Sequence, residues 1–71
     1  MATLDITGEH ITLAQALKAA GFAGSGGQAK HLVREGEVKV NDVVETQPAR
    51  KLTLGDRFQV ADEPVWTVRR E

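Results

Sequence analysis

The sequence of 71 residues contains no cysteine and no tyrosine, and its only aromatic residues are one tryptophan and two phenylalanines. The lack of cysteine excludes disulfides and thiolate metal sites. No apolar run approaches the roughly 18 residues that a membrane-spanning helix needs. The first ten residues, MATLDITGEH, lack the basic segment and apolar run of a signal peptide. We therefore expect a soluble, cytoplasmic protein with no membrane association.

The chain also lacks a marked excess of positive or negative charge, since its formal net charge is −1. Residues 30–51 carry five basic and four acidic side chains, which makes this middle segment the most basic part of the chain by a margin of one. A strong, nonspecific polyanion binder would carry a larger positive charge. Any affinity for nucleic acid must come from the placement of a few cations.

Caps and apolar spacing predict two short helices. The first, over residues 12–20, begins at a threonine suited to the N-cap and ends before Gly21. Ser25, followed by Gln28 three residues later, shows the capping-box pattern for a second helix, which ends at Gly36. The short connection between them predicts a helix–turn–helix-like pair.

The remaining segments alternate with a period of two, which is typical of strands. Asn41-Asp42 and Gly55-Asp56 are suited to turns, and Pro48 interrupts any strand. We predict strands near residues 3–6, 38–40, 43–45, 57–60 and 65–68. The sequence thus predicts an α+β fold in a single domain over residues 1–71, with two short helices on a small antiparallel sheet of about four to five strands.

The start of the second helix is a candidate phosphate site. Ser25, Gly26 and Gly27 leave backbone N–H groups uncovered at the positive end of a helix dipole, where anions bind. The alternative is that the two glycines only permit a tight turn between the helices.

Four basic side chains are the other binding candidates. Lys30 and Arg34 are four residues apart on one side of the helix, where like charges cost a few tenths of a kcal/mol. A phosphate between them would offset that cost, although an ordinary solvated helix face also explains the pair. Arg50 and Lys51 follow Pro48 in a segment rich in turns, so we expect both side chains to be exposed.

Support for catalysis is weak. Neither His10 nor His31 has partners spaced as in a catalytic triad or a metal site. His31 could stack on a base, but a buried or functionless histidine is the favoured interpretation. Trp66 is expected to fill a thin core rather than stack on a base. We predict no enzymatic activity, no metal and no cofactor.

These motifs together resemble the ribosomal-protein "S-four" type RNA-binding domain, also called the alpha-L motif. The resemblance covers roughly residues 11–60 and is closest to small stand-alone bacterial members. It rests on Leu13, Leu17, Gly21, Ser25, Ala29, Leu32-Val33, Gly36, Val38-Lys39-Val40-Asn41, Pro48 and Gly55-Asp56. The chain departs from the family pattern in having Gly26 where many members have arginine, Asp42 in place of the hairpin glycine, and a less basic loop at residues 47–49.

The resemblance implies binding to structured RNA, with ribosomal and transfer RNA as the two candidates, and an association with the ribosome. Carried over by position, the implied RNA contacts are Ser25, Gly26, Gly27, Lys30, Arg34, Lys39, Arg50 and Lys51. The near-neutral charge leaves an alternative, in which the chain is a protein-interaction adaptor that has kept the fold with little RNA affinity. The sequence does not indicate an oligomeric state.

Overall fold

A computed structural model describes residues 2–71 and shows two helices packed against strands. The elements in chain order are β1 (Ala2–Ile6), β2 (His10–Thr12), α1 (Leu13–Ala19), α2 (Gly26–Arg34), β3 (Val38–Val40), β4 (Val43–Val44), β5 (Lys51–Thr53), β6 (Arg57–Val60) and β7 (Trp66–Arg70). The predicted α+β fold is confirmed. Strands β2 and β5 were not expected from the sequence.

The main sheet has five strands in the order β1-β7-β6-β3-β4. All of its pairs are antiparallel except β1 with β7, which run in parallel from Ala2 opposite Trp66 to Ile6 opposite Arg70. The sheet is therefore mixed, and the prediction of a purely antiparallel sheet was wrong at this pair. A parallel pair needs a long crossover, and the sixty or so residues between these strands provide one. The alternation pattern of a strand does not reveal the direction of its partner.

The two unexpected strands form a separate antiparallel pair, in which Ile11 lies opposite Leu52. β2 leads directly into α1, so this small sheet fixes the entry to the first helix. Leu52 is fully buried and joins the core. Both strands are only three residues long and pair across almost forty residues of chain, with no tight turn such as Asn41-Asp42 to mark them as a hairpin in the sequence.

Local signals define both helices. Thr12 and Gln15 form a complete capping box at the start of α1. α2 differs from the prediction, because Ser25 Oγ accepts from Gln28 N while Gln28 Oε1 accepts from Gly24 N instead of from the cap residue itself. Both helices end in Schellman turns at glycines with positive φ, and at the end of α2 the Glu37 N–H donates to Leu32 O.

One core lies between the helices and one face of the sheet. Its largest fully buried side chains are Phe58, Leu13, Leu17, Leu52, Val33, Val38 and Val68. Trp66 is half-buried against this core, stacked on Phe58 at 6.2 Å and in edge contact with Phe22 at 6.0 Å between ring centroids. The predicted packing role of Trp66 is confirmed. The other face of the sheet is uncovered and carries polar side chains.

Candidate nucleic-acid interface

The loop at residues 46–50 lies directly against the start of α1. Pro48 O accepts a hydrogen bond from Ala14 N at 3.1 Å, and Arg50 O accepts one from Leu13 N at 2.8 Å. These first-turn amides of a helix have no acceptor within the helix itself. The loop satisfies them, so the start of α1 is closed to anions and the loop is held in place.

Docking of this loop creates a recess of about 380 Å³ between α1, α2 and the loop, which we call the basic recess. Its lining residues are Thr12, Ala14, Lys30, Arg34, Pro48 and Ala49. Both cations are exposed, and none of the described lining residues is acidic. The like charges of Lys30 and Arg34 therefore face one open space without a carboxylate among its walls, which is a favourable arrangement for an anion.

The start of α2 is as open as the sequence predicted. Gly26 and Gly27 are exposed, and their amides occupy first-turn positions that have no acceptor inside a helix. A Cβ atom on Gly26 would meet nothing within 4 Å. Ser25, by contrast, uses its hydroxyl oxygen to cap Gln28 N at 3.2 Å. The glycine amides can therefore reach an anion, while Ser25 mainly fixes the helix start.

Arg50 is exposed as expected but is already paired. Its Nη1 lies 2.7 Å from Glu45 Oε2, and the same carboxylate accepts from Gln47 N at 3.1 Å. The hydrogen bond from Arg50, helped by the Gln47 N–H, holds the pKa of Glu45 below its ordinary value. Much of the Arg50 charge is therefore neutralised within the loop.

Lys51 is the neighbour of Arg50 in the sequence. In the described part of the chain it makes no ion pair with an acidic side chain. It is exposed on β5 and lies opposite Thr12, a residue that lines the basic recess. The strand pairing therefore places Lys51 beside Thr12, next to a lining residue but not among the lining residues themselves. Only the tertiary structure reveals this link, because the two strands were not recognised in the sequence.

Lys39 is not brought to the same surface. It lies on β3 between Val38 and Val40, which are both buried in the core under the helices. Because strand side chains alternate between faces, Lys39 points away from α1 and α2. Its cross-strand neighbours are Gln59 and Val44 on the open face of the sheet. The structure thus separates Lys39 from the seven other site residues predicted from the sequence.

His31 is not buried, since its side chain is 74% exposed and its Nε2 lies 3.4 Å from Glu35 Oε1, so the buried alternative is ruled out and the functionless one stays open. Within residues 2–71, no group of three or more histidine, cysteine or acidic side chains could hold a metal ion. Over the same residues, no helix is long and apolar enough to cross a membrane.

Comparison with known proteins places the chain among domains of one kind. A family model described as the S4 domain matches residues 4–68, which is nearly the whole chain. A protein of Bacillus subtilis (strain 168) named "Probable ribosome maturation protein RlbA" is 44% identical to this chain over 57 residues. The aligned segment covers 80% of each of the two chains.

A second relative provides both sequence and structure. "Putative RNA-binding protein YbcJ" of Escherichia coli (strain K12) is 39% identical over 59 residues, covering 83% of this chain and 84% of its own. The solution structure of YbcJ, described as containing an alpha-L motif involved in RNA binding, superposes with a TM-score of 0.70 and 34% identity. The match covers 97% of this chain and 87% of that structure, so the fold is shared from end to end.

Proposed function

Because this chain belongs to the S4 domain family, we propose that it is a non-catalytic RNA-binding protein that recognises structured RNA through the basic recess and the start of α2. The observation that carries the proposal is the placement of Lys30 and Arg34 in one recess whose described walls include no acidic residue. The RNA-binding descriptions of YbcJ support the same class of ligand.

The geometry favours contacts to the RNA backbone. Lys30 and Arg34 supply charge-assisted hydrogen bonds to phosphate oxygens. The open amides of Gly26 and Gly27 supply directional N–H donors on the same helix. Lys51 extends the positive surface along β5, toward the loop that carries Arg50. These cations and amides together fit a particular spacing of phosphates, and a protein recognises folded RNA by shape in this way.

The net charge of −1 means that this binding depends on a few local cations and not on an overall positive charge. Charges separated by more than about 8 Å contribute little at physiological salt. The local cations therefore count more than the total, but only a few phosphates are neutralised. We expect modest affinity with a salt dependence that corresponds to about three or four phosphate contacts.

Ribosomal RNA is the RNA that we propose as the ligand, with an association with the ribosome in the cytoplasm. The support is the name of the Bacillus subtilis relative, which refers to ribosome maturation. Transfer RNA is the alternative structured ligand. Binding measured side by side to purified ribosomal RNA, transfer RNA and single-stranded poly(U) separates these choices.

Charge reversal in the basic recess tests the interface. We expect Lys30→Glu and Arg34→Glu each to weaken binding to ribosomal RNA by about tenfold or more, and to lower the salt slope by about one. Lys18→Glu is the matched control, because Lys18 is exposed on α1 and lines a different recess, beside His10. Equal losses in all three folded variants, or no loss in any, would remove the basic recess from the interface.

An adaptor that binds another protein is the second candidate, and the exposed edge strand β4 favours it. Val43 and Val44 are 68% and 51% exposed, the highest values among the large apolar side chains of the described residues. An apolar interface of this kind would be insensitive to salt, whereas RNA binding weakens steeply between low and physiological salt. A salt titration of the binding measured in cell extract distinguishes the two.

A further inference from the structure

A second recess borders α2 on a different flank from the basic recess. It measures about 400 Å³ and is lined by Phe22, Gly27, Gln28, His31 and Leu32, and we call it the aromatic recess. The two recesses share one helix, because residues 30 and 34 line the first while residues 28, 31 and 32 line the second. A ligand that crosses the exposed side of α2 would occupy both.

The aromatic wall of this recess is held rigidly. The Phe22 ring meets Trp66 edge-on, with centroids 6.0 Å apart and planes at 76°. Trp66 in turn stacks on Phe58, which is fully buried. Phe22 itself is only half-buried, so part of it faces the recess. The ring is therefore preformed as a surface against which another flat ring could pack, without an ordering cost.

The other walls supply a second ring and a hydrogen-bond donor. His31 is 74% exposed, so its imidazole is accessible from the recess. Gln28 Oε1 accepts from Gly24 N at 2.7 Å, which fixes the side-chain amide and leaves its NH₂ group as the available donor. Gly27 adds no side chain to this wall. The lining thus combines two flat rings and the aliphatic side chain of Leu32 with one oriented polar group.

We propose that the aromatic recess binds one unpaired nucleobase of the RNA, with the base packed on Phe22 and His31 and an acceptor on its edge meeting the Gln28 amide. This inference rests on the function proposed above. Bases are recognised in single-stranded loops and bulges by stacking on aromatic and histidine rings together with hydrogen bonds to their edges. The aromatic recess provides both kinds of contact.

Continuity with the basic recess favours a base over an apolar protein side chain as the occupant. A nucleotide joins a flat ring to a phosphate, and the two recesses beside α2 present the rings of Phe22 and His31 in one and the cations Lys30 and Arg34 in the other. An apolar side chain would leave the Gln28 donor without a partner and would make no use of Lys30 or Arg34. The RNA bound by this chain therefore has an unpaired nucleotide beside a paired, folded segment.

Fluorescence of a base analogue tests the proposal. The probe is a short RNA hairpin with one bulged 2-aminopurine, compared with the same hairpin carrying an abasic site at that position. We expect the wild-type protein to quench the 2-aminopurine emission and to bind it about 5- to 100-fold more tightly than the abasic hairpin, the range for one base stack.

Variants assign the effect to the recess. We expect His31→Ala and Phe22→Leu to remove most of the preference for the base while leaving the affinity for the abasic hairpin unchanged. His10→Ala is the matched control, because His10 is also exposed but lines a different recess. Phe22 packs against the core, so the folding of Phe22→Leu is checked by circular dichroism. His31→Ala changes only an exposed side chain and therefore tests the proposal independently.

The possible failures are distinguishable. Equal affinity for the two hairpins with no quenching would overturn the base site and leave the RNA-binding function standing. Quenching that persists in His31→Ala and in folded Phe22→Leu would place the base elsewhere and overturn this recess. If the wild-type protein binds neither hairpin nor ribosomal RNA, both proposals fail. Salt-insensitive capture of a protein that is lost in Phe22→Leu would identify an apolar side chain as the occupant.

Discussion

Arg50 Nη1 lies 2.7 Å from Glu45 Oε2, and this ion pair ties the loop before β5 to the end of β4. The same carboxylate accepts from Gln47 N, and the loop carbonyls at Pro48 and Arg50 accept from the start of α1. The pair thus supports the wall of the basic recess while neutralising one of the cations expected to meet RNA. Glu45 both positions the loop and limits its charge.

Removal of the Glu45 charge should increase RNA affinity. We expect Glu45→Gln to strengthen binding to ribosomal RNA by a few fold, since Arg50 becomes free to meet a phosphate while the amide oxygen can still accept from Gln47 N. The loss in folding stability should be about 0.5–1 kcal/mol, because Arg50 is 44% exposed and Glu45 is 18% exposed, and an ion pair with one well-exposed partner contributes little. Filter binding and urea unfolding measure the two effects. Weaker RNA binding at unchanged stability would contradict this account of the pair.

The open face of the sheet should contribute little to RNA binding. Lys39→Glu reverses a charge on the side of β3 away from the helices, so the sheet separates this side chain from the basic recess. We expect less than about a twofold loss in affinity, against about tenfold for Lys30→Glu. A loss in Lys39→Glu as large as in Lys30→Glu would extend the interface around the edge of the sheet.

An arginine at position 26 should be accommodated and should raise affinity. The space around Gly26 is open, because a Cβ atom there would meet nothing within 4 Å. We expect Gly26→Arg to bind RNA several-fold more tightly through one added phosphate contact, with the salt slope steeper by about one. Gly26→Ala is the control, which adds a side chain without charge. If both variants lose affinity, the open amides need the absence of any side chain.

Asn41 should be important for folding. Its φ is +51°, its Oδ1 accepts from Arg57 N at 3.0 Å, and its Nδ2 donates to Asp56 Oδ1 at 3.2 Å. Asn41→Ala removes both side-chain hydrogen bonds from a left-handed position, so we expect a loss of about 2 kcal/mol. Asp42→Asn, in the same turn, should change the free energy of unfolding by less than about 0.5 kcal/mol. Urea unfolding compares the two, and similar losses would show that the turn conformation alone matters.

Acid should destabilise the fold through two carboxylates. Burial raises the pKa of Asp56, but hydrogen bonds from Thr53 and Asn41 outweigh it, so the pKa lies below its ordinary value, as for Glu45. A lowered folded-state pKa stabilises the fold fully above the ordinary carboxyl pKa, about 4, and this contribution is lost as the pH falls through the folded-state value. We expect the Tm to fall below about pH 5, and to fall less steeply in Asp56→Asn, whose Tm at pH 7 is already lower. If the Tm of that variant falls with decreasing pH as steeply as in the wild type, the acid destabilisation comes from other groups.

The sequence determined the features that depend on neighbouring residues. Thr12, Ser25, Gly21 and Gly36 mark where the helices begin and end, because caps and left-handed turns act within a few residues. The hairpin at Asn41-Asp42 has positive φ at both residues, as its turn type requires. The α+β class and the open start of α2 followed from these signals.

Only the tertiary structure decided which distant segments meet. The parallel pairing of β1 with β7, the short β2–β5 sheet and the docking of residues 46–50 on α1 depend on how the whole core packs, and no local pattern encodes them. Those contacts gather Lys30 and Arg34 at one recess, pair Lys51 with Thr12, turn Lys39 to the opposite face and pair Arg50 with Glu45. Strand alternation determines which side chains share a face. Which strand pairs with which depends on the apolar surface that the complete fold buries.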